Sequence, residues 1–226
     1  MKIIVIGDLH GKDCWKIAVN KYADLYIFIG DYVDSYENTD KQILDNFKEI
    51  IEFKKKNMNK VILLLGNHDI HYTFYPKYLC SGFRKSMLKD LKKLFTDNKN
   101  LFQVAFQIKN YLFTHAGVSN KWFRFFKRTI DLRKFKGKDL DEIFNSVYRS
   151  KKRDVLFSVG PYRGGFEIGG ILWADGMETS KDIINGYHQI VGHSKVERIG
   201  TFCNENSSIT YIDCLDSEIK FYELEI

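Results

Sequence analysis

The stretch KIIVIGDLHG, residues 2–11, decides how this sequence is read. Its first five residues are largely apolar and lead straight into Gly7, which is typical of a buried strand that ends in a turn. A phosphate-binding P-loop needs four residues between its glycines and a hydroxyl residue after the lysine. Gly7 and Gly11 enclose only three residues and Asp13 follows Lys12, so this kind of site is excluded. A metal site and a simple turn remain as interpretations.

The same pattern occurs twice more in the first third of the chain. Residues 25–29 and 61–65 are short apolar runs, and each is followed at once by glycine. The intervening stretches, about 13–22 and 39–56, are predicted helices, and the second carries apolar residues close to a 3.6-residue period. Successive βα units predict an α/β core with parallel strands. In such sheets ligands bind where the strands end and the loops begin.

The second half of the sequence predicts shorter strands in hairpin succession. Residues 79–94 and 140–148 are predicted helices, and 70–82 and 150–170 are predicted to be irregular. No repeat or linker interrupts the chain, so we expect one domain over residues 1–226, with two packed sheets and helices outside. The strands are predicted at residues 102–108, 111–114, 189–192, 198–203, 208–213 and 219–224.

Composition limits the functional classes. The 226 residues are 44% hydrophobic and 28% charged, as in an ordinary globular protein. The formal net charge is +6, but lysines are mixed with acidic residues, so a nucleic-acid partner is not expected. No apolar run has the length of a transmembrane helix, and no signal peptide is expected. The four cysteines form no CxxC pair, which favours reduced thiols and a cytoplasmic location.

Five glycine-containing segments carry the polar residues of interest. Taken singly, each is more simply explained as a turn or a structural histidine. Together they supply aspartate, asparagine and histidine repeatedly after strands, a set that suits a binuclear divalent-metal centre. The segments are GDLHG (7–11), GDYVD (30–34), GNHD (66–69), THAG (114–117) and GHS (192–194).

In this order the five segments resemble the signature of the calcineurin-like metallophosphoesterases. Within that superfamily the sequence is similar to the PPP-type serine/threonine phosphatases and their bacterial and phage relatives. Residues 171–175, ILWAD, also resemble the LLWSDP segment of PPP enzymes. The resemblance implies two mixed β-sheets packed as a sandwich and flanked by helices, with metals at the sheet edge.

The resemblance also implies roles for individual residues. Two divalent metal ions are expected, with Mn²⁺ as the first choice and iron or zinc as alternatives, and a bridging hydroxide would attack phosphorus. His68 would protonate the leaving oxygen, and Asp34 would hold His68 in place. The implied metal ligands are Asp8 and His10 on the first ion, Asp31 between both, and Asn67, His115 and His193 on the second.

One departure from the PPP pattern affects substrate binding. Ser35 stands where those enzymes have a phosphate-binding arginine. We expect another cation to replace it, either Arg163, flanked by glycines at 160 and 164–165, or Arg84. A surface turn is the alternative interpretation for Arg163. His71 and His188 have no motif support and are interpreted as structural or pocket-lining residues.

The leading functional hypothesis is a metal-dependent phosphomonoesterase whose substrate is a phosphoprotein or a small phosphoester. A nucleotide or dinucleoside-polyphosphate hydrolase, or a phosphodiesterase, is the alternative within enzymes, because THAG is similar to that branch as well. A non-catalytic binding module on the same fold is the alternative from another class. None of the implied ligands nor His68 is missing from the sequence, which favours an enzyme.

Overall fold

The computed structural model describes residues 1–226. The chain divides into two compact units. The first unit consists of residues 1–103 and 214–226, and the second of residues 104–213. The expectation of a single domain stays a prediction.

Each unit contains one five-stranded sheet. The strands are β1 (Lys2–Ile6), β2 (Leu25–Phe28), β3 (Val61–Leu64), β4 (Phe102–Gln103), β5 (Ala105–Ile108), β6 (Tyr111–Thr114), β7 (His188–Val191), β8 (Gly200–Asn204), β9 (Ser207–Tyr211) and β10 (Tyr222–Glu225). The α-helices are α1 (Trp15–Val19), α2 (Asp40–Lys56), α3 (Asn67–Thr73), α4 (Leu88–Asp97), α5 (Asn120–Thr129), α6 (Leu140–Tyr148) and α7 (Gly176–Thr179). None of these helices combines the length and the apolar character that crossing a membrane requires.

The sheet of the first unit has the order β10-β1-β2-β3-β4. Strands β1 to β4 are parallel, and β10 is antiparallel to β1, so the sheet is mixed. Residues 3–6 of β1 are fully buried, as expected for a parallel strand covered on both faces. The carboxyl ends of β1, β2 and β3 lie at one edge, and the loops carrying Asp8, Asp31 and Asn67 begin there.

Helix α2 shows why this unit folds as its sequence predicts. Thr39 and Gln42 form a capping box at its start, and its last turn carries three lysines, which suits the helix dipole. Ile43, Phe47 and Ile50 on one face are fully buried. The apolar residues that recur along this helix therefore form the face that packs into the core.

The sheet of the second unit has the order β5-β6-β7-β9-β8. The β5-β6 and β8-β9 pairs are antiparallel, whereas β6-β7 and β7-β9 are parallel. Helices α5 and α6 bring Trp122, Phe126 and Phe144 into a buried aromatic cluster. Two mixed sheets with flanking helices confirm the predicted α/β fold class.

Four predicted elements were wrong in their bounds. The helix predicted at about 13–22 covers only Trp15–Val19. The strand predicted at 102–108 is two strands in different sheets, separated at Val104, whose N–H donates to the Asn145 side chain instead of a ladder partner. The helix predicted at 79–94 starts only at Leu88, because Gly82 has a left-handed backbone that no helix continues through. The strand predicted at 219–224 starts at Tyr222.

Three helices were missed. Helix α3 occupies part of the region predicted to be irregular, and α5 and α7 were not predicted. Helices α3 and α5 are rich in aromatic and β-branched residues or histidine, which have middling helix propensity, so packing rather than propensity decides their conformation.

Candidate metal centre and acid–base residues

The loop after β1 places a carboxylate and an imidazole side by side. Asp8 is buried directly past the end of the strand, and His10 is half-buried with a left-handed φ of 45°. His10 Nδ1 lies 3.0 Å from the carbonyl oxygen of Val33, which can only accept, so Nδ1 carries the ring proton. This contact leaves the Nε2 lone pair as a metal ligand. Burial lowers the pKa of His10, which favours the neutral form that binds metals.

Asp31, in the loop after β2, completes this group. Its Oδ1 accepts a hydrogen bond of 2.9 Å from the backbone N–H of His68, and its Oδ2 is 3.8 Å from His10 Nε2. One ligand atom each of Asp8, His10 and Asp31 lies within 4.8 Å of the others. Two carboxylates and one neutral imidazole at this spacing fit a divalent metal ion that takes mixed oxygen and nitrogen ligands.

Asp69 fixes the loop that carries Asp31. This fully buried carboxylate accepts hydrogen bonds from the backbone N–H groups of Asp31, Tyr32 and Gly66, at 2.8, 3.0 and 2.8 Å. It therefore ties the loop after β2 to the start of α3. The sequence analysis gave Asp69 no role beyond its place in the GNHD motif.

Asn67 and His68 open helix α3. Asn67 is buried, and its Nδ2 is 3.6 Å from Cys80 Sγ, which identifies Oδ1 as the atom that could bind metal. The ring centroids of His68 and His10 are 5.0 Å apart, so the expected acid lies next to the Asp8–His10–Asp31 group.

Three side chains contact the Asp34 carboxylate. Its Oδ2 lies 3.0 Å from His68 Nδ1 and 2.7 Å from His71 Nε2, and its Oδ1 accepts a 2.5 Å hydrogen bond from the Tyr72 hydroxyl. Burial alone would raise the pKa of Asp34, but the hydrogen bonds from His68, His71 and Tyr72 lower it. The carboxylate is therefore ionised and held on both oxygens.

The surroundings of His68 favour the protonated form of its ring, which is the form that an acid requires. Burial would lower its pKa, but the charge of Asp31 and the hydrogen bond to Asp34 raise it well above 6.5. Because Nδ1–H points to Asp34, Nε2–H is the proton that can be donated. The roles expected for His68 and Asp34 stay predictions.

His71 and Cys80 extend this network, and the sequence analysis did not predict these contacts. His71 is fully buried, and its Nδ1 lies 3.2 Å from Cys80 Sγ. Burial would lower the pKa of His71, but hydrogen bonds to Asp34 and Cys80 raise it to about 9. One sequence signal could have found His71: it follows His68 by three residues, and residues at that spacing share a helix face.

The second unit contributes two histidines. His115 follows β6 and His193 follows β7, which are parallel neighbours, so their rings lie 5.1 Å apart. The backbone N–H of Gly192 donates to the carbonyl of His115 at 2.8 Å and links the two loops. Both histidines are buried, and His193 has a left-handed φ of 62°.

The two candidate phosphate-binding arginines have different surroundings. Arg84 Nη1 contacts Asp40 Oδ1 at 2.7 Å and the Asn38 carbonyl at 3.0 Å, and Nη2 donates to the Ser35 carbonyl. Arg84 thus binds the loop that follows Asp34, at the position where the PPP arginine is missing. The roles of both arginines in substrate binding stay predictions.

Arg163 lies beside a proposed metal ligand in the second unit. Its Nε is 2.8 Å from Asp175 Oδ2, and its Nη2 is 3.3 Å from the His193 carbonyl and 3.2 Å from Ser194 Oγ. Its side chain keeps 30% of its surface exposed. A guanidinium in this position supports the His193 loop and still has a face open to a ligand.

Comparisons with known proteins agree with this architecture. A family model described as calcineurin-like phosphoesterase matches residues 1–197. A Caenorhabditis elegans protein, provisionally named a serine/threonine-protein phosphatase, is 32% identical over 131 residues, 53% of this chain. The match covers 27% of that protein, so the chain spans about a quarter of the length of this relative.

Two solved structures share the fold. A cold-active protein-tyrosine phosphatase of a psychrophilic Shewanella superposes with a TM-score of 0.61 at 18% identity, covering 99% of this chain and 75% of the other. A protein serine/threonine phosphatase from Saccharomyces cerevisiae gives a TM-score of 0.50 at 16% identity, covering 94% and 66%.

Proposed function

The chain belongs to the calcineurin-like phosphoesterase family, and from this premise we propose that it is a metal-dependent phosphomonoesterase. The observation that carries the proposal lies within the first unit. The Asp8–His10–Asp31 group offers a metal-ligand set, and His68, whose pKa is raised by Asp31 and Asp34, lies beside it, with 5.0 Å between the His10 and His68 ring centroids. A metal-ligand set next to a proton donor is what phosphoester hydrolysis requires.

We propose that the protein binds two divalent ions, with Mn²⁺ as the expected metal. Bound divalent ions would neutralise the phosphate oxygens and lower the pKa of the attacking water. Mn²⁺ suits a set of mixed carboxylate, amide and imidazole donors. The proposed ligands are those that the sequence resemblance implies, Asp8, His10, Asp31, Asn67, His115 and His193.

The side chains of the first unit then perform the proton transfer. Hydroxide formed from water attacks phosphorus as the bond to the leaving oxygen breaks. His68 gives its Nε2 proton to the leaving oxygen, so that an alcohol and hydrogen phosphate are released, and the proton lost by the water returns to His68. Asp34 keeps the imidazole ring in the required orientation and stabilises its positive charge before the transfer.

We propose a phosphoprotein as the substrate class. Two proteins with this fold are named as protein phosphatases, one for tyrosine and one for serine/threonine residues. Nucleotides, dinucleoside polyphosphates and a phosphodiester are the comparison substrates, because the THAG segment is also similar to that of enzymes that hydrolyse such compounds.

Metal removal tests the proposal. A chelated sample, shown to be metal-free by elemental analysis, should not hydrolyse p-nitrophenyl phosphate, and added Mn²⁺ should restore the rate. Phosphoserine and phosphotyrosine peptides should be hydrolysed faster than the nucleotides and the diester. Full activity of the metal-free sample would contradict metal dependence, and a preference for the nucleotides would replace the proposed substrate class.

A further inference from the structure

We propose that His71 is a positioning residue for the reaction: it holds the Asp34 carboxylate in the one orientation that aligns His68 for proton donation. The inference rests on the proposed function, and the resemblance to the family assigns no role to this residue. It starts from the 2.7 Å contact between His71 Nε2 and Asp34 Oδ2.

The need for such a residue follows from the geometry of aspartate. Rotation about the last side-chain bond of aspartate is broad, so one hydrogen bond does not fix the plane of its carboxylate. In this structure His68 and His71 share Oδ2, and Tyr72 holds Oδ1. The hydrogen bonds from His68 and Tyr72 and the 2.7 Å contact with His71, whose N–H is not aligned as a hydrogen bond, together restrict the position and the rotation of the carboxylate plane. The Asp34 side chain is fully buried, so water does not replace a lost donor easily.

The hydrogen-bond roles of His71 follow from its partners. An ionised carboxylate only accepts, so Nε2 of His71 carries a proton. Its Nδ1 faces Cys80 Sγ at 3.2 Å, and a cysteine sulfur can act as a weak donor or an acceptor. A neutral His71 ring beside a Cys80 thiol and a charged His71 ring beside a Cys80 thiolate therefore both keep Nδ1 and Sγ hydrogen-bonded to each other. In both forms the contact to Asp34 is retained.

His71 itself is too deeply placed to be the acid. Its side chain has no exposed surface, whereas 13% of the His68 side chain is exposed. Both histidines project from α3, three residues apart. The centroid of the Phe83 ring lies 5.2 Å from the centroids of the His71 and Tyr72 rings, so Phe83 packs on the network without contributing a polar group to it.

A double-mutant cycle with two substrates tests the proposal. His71→Ala should lower kcat about 10-fold or more on an alkyl phosphate, a fraction of the ~10²–10⁴-fold that general acid catalysis contributes. The loss should be smaller on an aryl phosphate, whose leaving oxygen needs no proton. His71→Gln keeps a donor N–H and should restore part of the rate. In a His68→Asn background, His71→Ala should cause no further loss.

A packing control separates positioning from general damage. Phe83→Leu changes the packing on His71 without removing a donor to Asp34, so the ratio of alkyl to aryl rates should stay at the wild-type value. The proposal would be overturned if His71→Ala lowered kcat equally on both substrates and if, in the double mutant, this loss added in full to the loss from His68→Asn. If His71→Ala does not fold, as judged by thermal melting, the same cycle with His71→Asn decides, because that side chain is too short to reach Asp34.

A readout without catalysis distinguishes this proposal from the proposed function. The hydrogen-bonded Nδ1 proton of His68 should give a downfield NMR resonance in wild-type protein that is absent from His68→Asn. It should be lost to exchange in His71→Ala and retained in His71→Gln. An inactive wild-type protein with this pattern would refute the phosphatase and leave the positioning role standing. A resonance unchanged by His71→Ala would overturn the positioning role alone.

Discussion

At the scale of single residues, four proposed site residues have backbone conformations that most side chains avoid. His10, Asp31, Asp34 and His193 have φ values of 45°, 52°, 65° and 62°. Such conformations cost of order 1–3 kcal/mol each and persist only where the surroundings impose them. Here the hydrogen bonds of the loops supply that constraint, as with Asp69 and the loop of Asp31. Glycines beside His10, Asp31 and His193 indicated tight turns, but the sequence could not show which residue would be left-handed.

The first residue-scale prediction concerns His68. If His68 donates a proton to the leaving oxygen, His68→Asn should reduce kcat by ~10²–10⁴-fold on alkyl phosphates. Aryl phosphates with acidic leaving groups should lose less, because their oxygens depart unprotonated. Steady-state kinetics and elemental analysis are the measurements, with metal content expected near wild type. A variant that loses metal and slows equally on both substrates would identify His68 as a ligand.

The second residue-scale prediction concerns the arginine that replaces the missing PPP residue at Ser35. Arg163→Ala should lower kcat/KM by ~10²-fold, the range seen for removal of one charge-stabilising donor. Arg163→Lys should restore only part, because lysine cannot hold two phosphate oxygens in a fork. Asp175→Asn is the matched control: it removes the partner of Arg163 but leaves the guanidinium, so its effect should be smaller.

Arg84→Ala provides the competing outcome. Arg84 binds Asp40 and the carbonyls of Ser35 and Asn38, so its loss should destabilise that loop in thermal melts. A larger kinetic loss for Arg84→Ala than for Arg163→Ala would move phosphate binding to Arg84. Near-wild-type kinetics for both would indicate that no arginine clamp is used.

At the scale of elements, the close approach of two loops depends on glycine. A Cβ atom on Gly66 would lie 2.1 Å from Asp31 Oδ1, and one on Gly30 would lie 2.4 Å from Gly66 N. These contacts are far below van der Waals distance. The loops after β2 and β3 therefore approach at this spacing only because neither residue has a side chain.

This approach leads to a prediction for Gly66→Ala. The added methyl group must displace Asp31, so the variant should bind Mn²⁺ more weakly and unfold with about 1–3 kcal/mol less free energy, the usual cost of overpacking. Isothermal titration with Mn²⁺ and urea unfolding are the measurements. Gly200→Ala is the control, since the nearest atom to its Cβ would be 3.9 Å away. Equal metal affinity in wild type and Gly66→Ala would contradict the argument.

The elements also show which features a sequence can predict. Strands β1, β2 and β3 were predicted within one residue, because each is an apolar run that stops at a glycine. Helix α4 was placed too early, because residues 79–87 are held by long-range contacts: the Arg84 backbone N–H donates to the Tyr72 hydroxyl. Contacts of this kind have no local sequence signal. The same is true of the contact of His71 with Asp34, which spans 37 positions.

At the scale of the whole molecule, the order of the five segments predicted the family and the fold class. The order is informative because each segment follows a strand, and the strands fix where the loops emerge. The division of residues 102–108 between two sheets was not predictable, because no glycine or proline in this run marks the end of a strand. Only the pairing of β4 with β3 and of β5 with β6 separates it.

The last prediction is the pH dependence of stability in the metal-free protein. His71 has a pKa of about 9 when folded and 6.5 when unfolded, and the pKa of His68 is raised as well. The folded state therefore binds more protons, so these histidines contribute stability that is complete below pH 6.5 and is lost as the pH rises to about 9. The pKa of the Cys80 thiol is lowered from 9.0 in the folded protein. Its contribution to stability therefore grows as the pH rises over the same range and offsets part of the loss.

Two raised imidazoles outweigh one lowered thiol, so the free energy of unfolding should fall between pH 6.5 and 9 by about 1–3 kcal/mol. Below pH 6.5 it should fall again, because the pKa of buried His10 is lowered and this ring must gain a proton. Urea unfolding at constant ionic strength measures the free energy of unfolding on both sides of pH 6.5, which we call the alkaline limb and the acid limb. His71→Gln should flatten the alkaline limb and leave the acid limb unchanged, because His10 is not altered. A wild-type alkaline limb in that variant would show that His71 is neutral in the folded protein, and the decline would then belong to His68 alone.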